Sequence, residues 1–396
     1  MNLTRRRFAI LAIFAVPPLL FANTASPQKR ASNKPYLVFV GTYTNKTKSK
    51  GIYAYLFDPG VGKLVSLGVA AESADPSFLA VHPSGKYLYA VNEIDHFGGQ
   101  KSGAVSAFSI DPKTSKLTLL SQAPTQGAGP CHISLDKTGK FVFVANYDGG
   151  SIAAFPVRED GSLASASAFI QHSGSSVNKD RQEGPHAHWI AVSPDNRFAL
   201  AADLGLDEVL VYRFDAARGT LAPDTPPFAK LEPGAGPRHL TFHPNGKFAY
   251  VLSEMGSSVT AFAYKASGGS LSPLQTVSTL SILRKDYSGP QEAAEVVVHP
   301  NGKFLYASNR AGIDTISAFS IDSVKGTLKL KDEYPTMGKT PRNFAVDPTG
   351  KFLLAANQES NNIVVFRIDS TTGALTPTGE VTEGPAPVCI TFVAAK

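Results

Sequence analysis

A chain of 396 residues, 43% hydrophobic, 10% aromatic and 18% charged, can bury a sizeable core, which excludes a disordered or low-complexity protein. Its formal charge of +6 is unevenly placed: Arg5, Arg6, Arg7, Lys29 and Arg30 fall within the first thirty residues with no acid, and subtracting these five leaves +1 for the rest. So neutral a body gives no case for nucleic-acid binding, and two cysteines exclude a disulfide-built fold.

The chain opens with a basic cluster followed by an apolar run, Phe8 to Phe21, broken by Pro17-Pro18 and then by small residues. That order is expected of an export signal with a short linker over 1–30, and Thr4-Arg5-Arg6-Arg7-Phe8 resembles the twin-arginine motif read by the machinery that moves folded proteins. The run is short for a membrane span. A periplasmic or secreted protein is expected, with residues 31–396 forming one domain.

Tyr36 to Tyr43 reads as a strand, followed by two more at Gly51 to Phe57 and Lys63 to Val69. A longer unit then repeats. Two short strands flank a tight turn such as His243-Pro244-Asn245-Gly246-Lys247; the turn glycine recurs at Gly85, Gly139, Gly246, Gly302 and Gly350, with Asn196 in the same slot. Successive slots lie 48 to 57 residues apart, enough for four strands, A to D, and their loops. After each turn comes an aromatic-rich strand B (Phe141 to Ala145, Phe248 to Leu252), then a strand C (Val259 to Phe262), then a turn ending in Gly-x-Leu (Gly326-Thr327-Leu328) and a strand D. The N-terminal trio lacks a strand A, whereas Pro387 to Phe392 is a strand A with nothing after it. The predicted fold is therefore all-β: a seven-bladed propeller of four-stranded antiparallel blades, closed by the C-terminal strand joining the N-terminal blade. Cys131 and Cys389 then fall in non-adjacent blades and are expected to be free, buried thiols.

Antiparallel A and B strands bring the starts of all A strands and the ends of all B strands to one mouth of the axial channel. In blade order the first set is Ser77, Cys131, His188, Arg238, Ala294, Arg342 and Val388, followed one residue on by Phe78, His132, Trp189, His239, Glu295, Asn343 and Cys389. The strand B ends are followed by Glu93, Tyr147, Leu204, Glu254, Arg310, Gln358 and, in the closing blade, Tyr43. The long insertions Ile94 to Gly103, Gln171 to Pro185 and Ser281 to Gln291 fall over the same mouth, as expected of variable loops above an active site. Asn92, Asn146, Asn309 and Asn357 recur at one position and read as turn residues that satisfy backbone groups; His82, His243 and His299 read as turn residues of the opposite face. His188, Arg238, Glu254, Arg310 and Arg342 instead break the repeat with charge near the axis, where it must be paired or used.

With these motifs placed, the chain from residue 31 onward resembles the seven-bladed propeller lactonases, the group that includes the propeller-type 6-phosphogluconolactonases and the fungal carboxy-muconate lactonising enzyme. The likeness rests on Gly184-Pro185-His186-Ala187-His188, Gly236-Pro237-Arg238-His239-Leu240, Leu252-Ser253-Glu254, Ala307-Ser308-Asn309-Arg310, Lys339-Thr340-Pro341-Arg342 and Ala356-Asn357-Gln358. The resemblance implies hydrolysis of a sugar lactone, with His188, Glu254 and Arg238 as the catalytic set and His186, His132, His239, Arg310, Arg342, Glu295 and Gln358 around the substrate. Glu254 or His188 is the expected general base; a glutamate between arginines has a lowered pKa, which favours His188. Arg238 is the expected oxyanion or carboxylate clamp, and Arg310 with Arg342 hold the substrate's anionic group. No serine sits in a nucleophile-elbow context, which speaks against an acyl-enzyme. No cofactor or metal is expected, since crowded arginines repel a cation; a metal-dependent lactonase is one rival reading. Cycloisomerisation of an unsaturated dicarboxylate and a non-catalytic binding propeller are the others. The expected partner is a small-molecule lactone or organic acid, and the expected state is a monomer.

Overall fold

In the computed structural model the described residues, 34–281 and 289–394, contain no helix and form seven four-stranded antiparallel sheets plus one two-stranded hairpin. The proposed 1–30 signal lies outside the described residues, as does most of the Ser281 to Gln291 insertion. From the axis outward each sheet runs A to D. The inner strands are Leu79–Val81, Pro130–Leu135, Ala187–Val192, Pro237–Phe242, Glu292–Val298, Pro341–Val346 and Pro387–Ala394, in blades 1 to 7. Blade 7 is composite: Pro387–Ala394 pairs antiparallel with Tyr36–Thr42, matching Val40 with Ile390 and Tyr36 with Ala394.

The core is divided as the repeat requires. Each strand B is apolar on both faces because each sheet packs on two neighbours, and seven buried clusters among the described residues each join one blade to the next. The cluster containing Leu37, Phe39, Leu79 and Leu88 closes the ring between blades 7 and 1. The aromatic residue that opens strand B has a defined neighbour. Phe248 of blade 4 lies under the C-to-D turn of blade 5, where a Cβ on Gly326 would come within 2.3 Å of its ring. Gly326 also has φ +72°, so both space and backbone demand glycine in that Gly-x-Leu turn.

The A-to-B turns have the predicted backbone: Gly246 has φ 69° and Asn196, the substitute in blade 3, has φ 61°. The turn histidines do more than end a strand. His243 accepts from the Asn245 N–H at Nδ1 (3.1 Å) and reaches the Gly302 carbonyl of blade 5 with Nε2 (2.9 Å); His299 repeats this with Asn301 and Gly350 of blade 6. Each imidazole thus stitches one blade's turn to the next. The repeated asparagines of the other end cap loops as expected: Asn146 donates to the Thr125 carbonyl and Asn357 to that of Thr336.

Candidate active site

One irregularity in the inner strands positions the site. In blades 2, 3, 4 and 6 the A–B register jumps at the first inner residue, from Pro130 to His132, Ala187 to Trp189, Pro237 to His239 and Pro341 to Asn343. Blade 5 skips from Ala293 to Val296, and blade 7 shifts at the same level. The residues left out of the ladder are Cys131, His188, Arg238, Ala294 with Glu295, Arg342 and Val388. A bulge bends the strand and re-aims the extra side chain. Here it presents a ring of side chains at the channel mouth.

A cavity of about 320 Å³ opens there, lined by Glu93, Cys131, Tyr147, Asp148, Arg181, His188, Glu254, Glu292, Arg310 and Arg342. Below it the channel narrows to a slot among Tyr43, Ser77, Phe78, Arg238, His239 and Val388, which Glu93, Cys131, His188 and Arg342 also line. Five sequence-selected residues, His188, Arg238, Glu254, Arg310 and Arg342, therefore converge on one place.

Glu254 is the electrostatic centre of the upper cavity. Its Oε2 accepts from Arg238 Nε at 2.9 Å and faces Arg310 Nη2 at 3.1 Å, while Oε1 accepts from Arg181 Nη2 at 2.7 Å. Burial alone would raise its pKa, but Arg310, Arg238 and Arg181 outweigh that and hold it at about 2. Glu254 is therefore held as an anion. Arg310 also meets Glu292 at 3.0 Å, and burial with the nearby Arg342 brings its pKa down to about 10, so it remains a cation.

Arg238 is committed to the protein. Beyond Glu254 it donates to His239 Nε2 (3.1 Å) and to the Ala294 carbonyl. Its place is the slot, behind Glu254, with another guanidinium as a neighbour. Arg342 is that neighbour: it lines both the cavity and the slot, lies over the Tyr43 ring at 5.3 Å, and has no carboxylate within ion-pair distance among the described residues.

His188 is buried, with Nδ1 3.7 Å from the Cys131 sulfur and its ring edge-on to Tyr147 and His239. Burial, then Arg238 and His239, push its pKa well down, so it is a neutral imidazole. Cys131 and Cys389 are both free and buried, as expected.

Four of the remaining expected residues, His239, Glu295, His132 and His186, lie around the cavity and not on its wall. His239 Nδ1 donates to Glu295 Oε1 (2.9 Å), whose other oxygen accepts from Asn343 Nδ2 (2.6 Å), and Asn343 in turn accepts from the Ile390 N–H. This chain ties blades 4, 5, 6 and 7 beneath the site. Because Arg238 occupies Nε2 as a donor, the proton of His239 sits on Nδ1. His132 packs between Phe78 and Trp189 in the channel, and His186 stacks on Tyr147 at 4.6 Å and supports it from outside. Gln358 is elsewhere altogether, in a surface groove with Lys46, Lys48 and Glu383.

Several wall residues were not singled out from the sequence. Glu93, Tyr147 and Tyr43 share the alignment column of Glu254 and Arg310, which was the available signal. Arg181 comes from the Gln171 to Pro185 insertion, whose path no repeat dictates. That insertion is pinned at its start by the buried His172, which joins Asp203 (2.6 Å) and the Tyr212 hydroxyl (3.0 Å), and at its end by the His186 N–H on the same Asp203.

Comparison with known proteins agrees with this geometry. Residues 37–392 match the family model described as lactonase, 7-bladed beta-propeller. A 6-phosphogluconolactonase of Bacillus subtilis is 36% identical over 358 residues, covering 90% of this chain and 98% of its own. One from Formosa agariphila is 38% identical over 340 residues, covering 85% and 94%. The structure of a periplasmic gluconolactonase from Pseudomonas aeruginosa superposes with a TM-score of 0.85 at 35% identity, covering 92% of this chain and all of that one. The chain belongs to the seven-bladed β-propeller lactonases.

Proposed function

We propose that the protein hydrolyses a sugar lactone, of the gluconolactone or 6-phosphogluconolactone type, in the cavity at the polar mouth. The observation that carries this reading is Arg342. A guanidinium at the meeting of cavity and slot, with no carboxylate in ion-pair range among the described residues, is charged, desolvated and directed at whatever enters. Hydrolysis of an ester carbonyl requires such a fixed donor where the tetrahedral alkoxide forms. Glu254, held ionised by Arg181, Arg238 and Arg310, keeps those cations in place without competing for Arg342. The neutral His188 faces the same space as a hydrogen-bonding group for the lactone or the attacking water. Arg181, with its side chain 36% exposed at the rim, is placed to meet the substrate's outer polar end. The names of the Bacillus and Pseudomonas relatives support both sugar classes.

A panel of phosphorylated and unphosphorylated aldonolactones, assayed by acid release above the spontaneous rate with and without chelator, tests the reading. Turnover of at least one class by the parent, lost in Arg342→Ala, is expected. No enzymatic acid release from any lactone would refute it, and turnover of an unsaturated dicarboxylate in its place would point to cycloisomerisation.

Export is the other part of the proposal. It is supported by the Arg5-Arg6-Arg7 cluster, the apolar run behind it and the periplasmic naming of the Pseudomonas relative. Replacing Arg5 and Arg6 by Lys is expected to strand the protein in the cytoplasm, because the twin-arginine receptor reads the guanidinium pair. Undiminished periplasmic yield would exclude that route.

A further inference from the structure

Glu93 has no place in the catalytic set drawn above, yet it shares the cavity wall and the slot with His188, Cys131 and Arg342. It follows strand B of blade 1 and is the counterpart of Glu254, which follows strand B of blade 4, three blades further round the ring. The two carboxylates are held in opposite ways. Glu254 meets three guanidinium groups; Glu93 meets hydroxyls. Both Glu93 oxygens accept from the Tyr43 hydroxyl, at 3.0 and 2.9 Å, and Oε2 also accepts from Ser77 Oγ. No ion pair to Glu93 occurs among the described residues, although Arg342 acts on it at longer range.

We propose that Glu93 is the proton-transfer residue of the lactone hydrolysis, with Tyr43 and Ser77 as its positioning residues. This rests on the lactonase reading of the site. In the first step the Glu93 carboxylate takes a proton from water as the water oxygen bonds to the lactone carbonyl carbon. The carbonyl π pair moves onto oxygen, and the resulting alkoxide faces Arg342. In the second step that pair re-forms the C=O, the ring C–O bond breaks, and the departing ring oxygen takes the proton from Glu93 to become the hydroxyl of the product. The product's carboxylic acid ionises to solvent, and Glu93 is returned as a carboxylate. One water is consumed and no other reactant is required.

The environment suits this exchange. Burial raises the pKa of Glu93 above the ordinary carboxylate value, and the opposing influence of Arg342, Ser77 and Tyr43 does not cancel it; Asp148 adds to the rise. His188 and Cys131, the other titratable neighbours, are uncharged: burial lowers the imidazole's pKa and raises the thiol's. A pair of carboxylates whose surroundings drive them apart, one fixed as an anion and one free to exchange a proton, is the arrangement by which acid–base roles are divided.

The test uses the whole protein and any lactone that the parent hydrolyses. Glu93→Gln is isosteric and is expected to lower kcat by about 10²-fold or more, with an unchanged melting temperature. Tyr43→Phe and Ser77→Ala remove donors to the ionised form, so each is expected to move the acidic limb of the kcat/KM profile to higher pH while retaining measurable turnover. A Glu93→Gln enzyme with parental kcat overturns the inference, as does an acidic limb unmoved in both positioning variants. An enzyme that hydrolyses lactones normally without Glu93 leaves the lactonase reading intact; a parent that hydrolyses none removes the reading itself.

Discussion

The two ends of the propeller channel are built from similar residue types and differ in how they use them. At the far end His82, His243 and His299 occupy one turn position, and each reaches the carbonyl of the next blade's turn glycine. At the near end the corresponding position carries six different residue types in seven blades. Ser77, Cys131, His188, Arg238, Ala294, Arg342 and Val388 do not serve their own blade's backbone in any common way. The far end shows polar residues recruited by the repeat; the near end shows polar residues that depart from it and meet one another. In a ring of equivalent blades, departure from the repeat separates chemistry from scaffold.

The largest test of that contrast removes the scaffold. Deleting residues 387–396 takes away the strand that pairs with Tyr36–Thr42 and strips Cys389 and Val393 from the cluster joining blades 7 and 1. It leaves the blade 7 sheet with an open edge on the axis. Several kcal/mol out of a total of about 5–15 are lost, and the truncated protein is expected to be unfolded or to melt far below the parent. Melting at the parental temperature would contradict the closure.

A second, smaller effect breaks the near end alone. Glu254→Gln leaves Arg181, Arg238 and Arg310 without their shared anion, and uncoupling a buried pair costs about 3–5 kcal/mol. Turnover is expected to fall by roughly 10²-fold or more, since the cations lose their common anchor. The pH dependence sharpens this. A carboxylate lowered from 4.5 to about 2 on folding contributes stability that is fully present above 4.5 and is lost as pH falls through about 2. Thermal melts of the parent and of Glu254→Gln between pH 5 and 2 should show the parent's advantage over the variant shrinking as pH falls.

The repeat, the composite blade and the turn residues were legible in the sequence because each follows from a local rule applied many times. Asn196 could be placed in a glycine slot because asparagine tolerates φ near +60°. The convergence of His188, Arg238, Glu254, Arg310 and Arg342 was legible from strand direction. The bulges were not, because each falls at the start of an inner strand, where no alternation precedes it to be interrupted. The finer layering therefore came only with the structure: His239 and Glu295 fell behind the cavity, and Arg238 became a strut for Glu254. Gln358 lies off the cavity and Arg181 went unnoticed for a related reason. The aim of a side chain beyond a strand end, and the path of an insertion, depend on turn geometry and tertiary contacts that no period describes.

The smallest effect belongs to the far end and completes the comparison. His243→Ala removes two hydrogen bonds, from the Asn245 N–H and to the Gly302 carbonyl, and leaves the latter without its partner at the blade 4–5 junction. The net value of such bonds is about 1 kcal/mol each, so a loss of about 1–2 kcal/mol is expected. The imidazole is buried against Phe248, which adds a small packing loss. None of this reaches the cavity, which lies at the other end of strands Pro237–Phe242 and Phe248–Ser253. The variant should therefore melt below the parent yet hydrolyse lactone at the parental kcat and KM at a temperature where both are folded. A fall in kcat of tenfold or more would show that the two ends are coupled along the strands, and the division between repeating scaffold and divergent site would have to be abandoned.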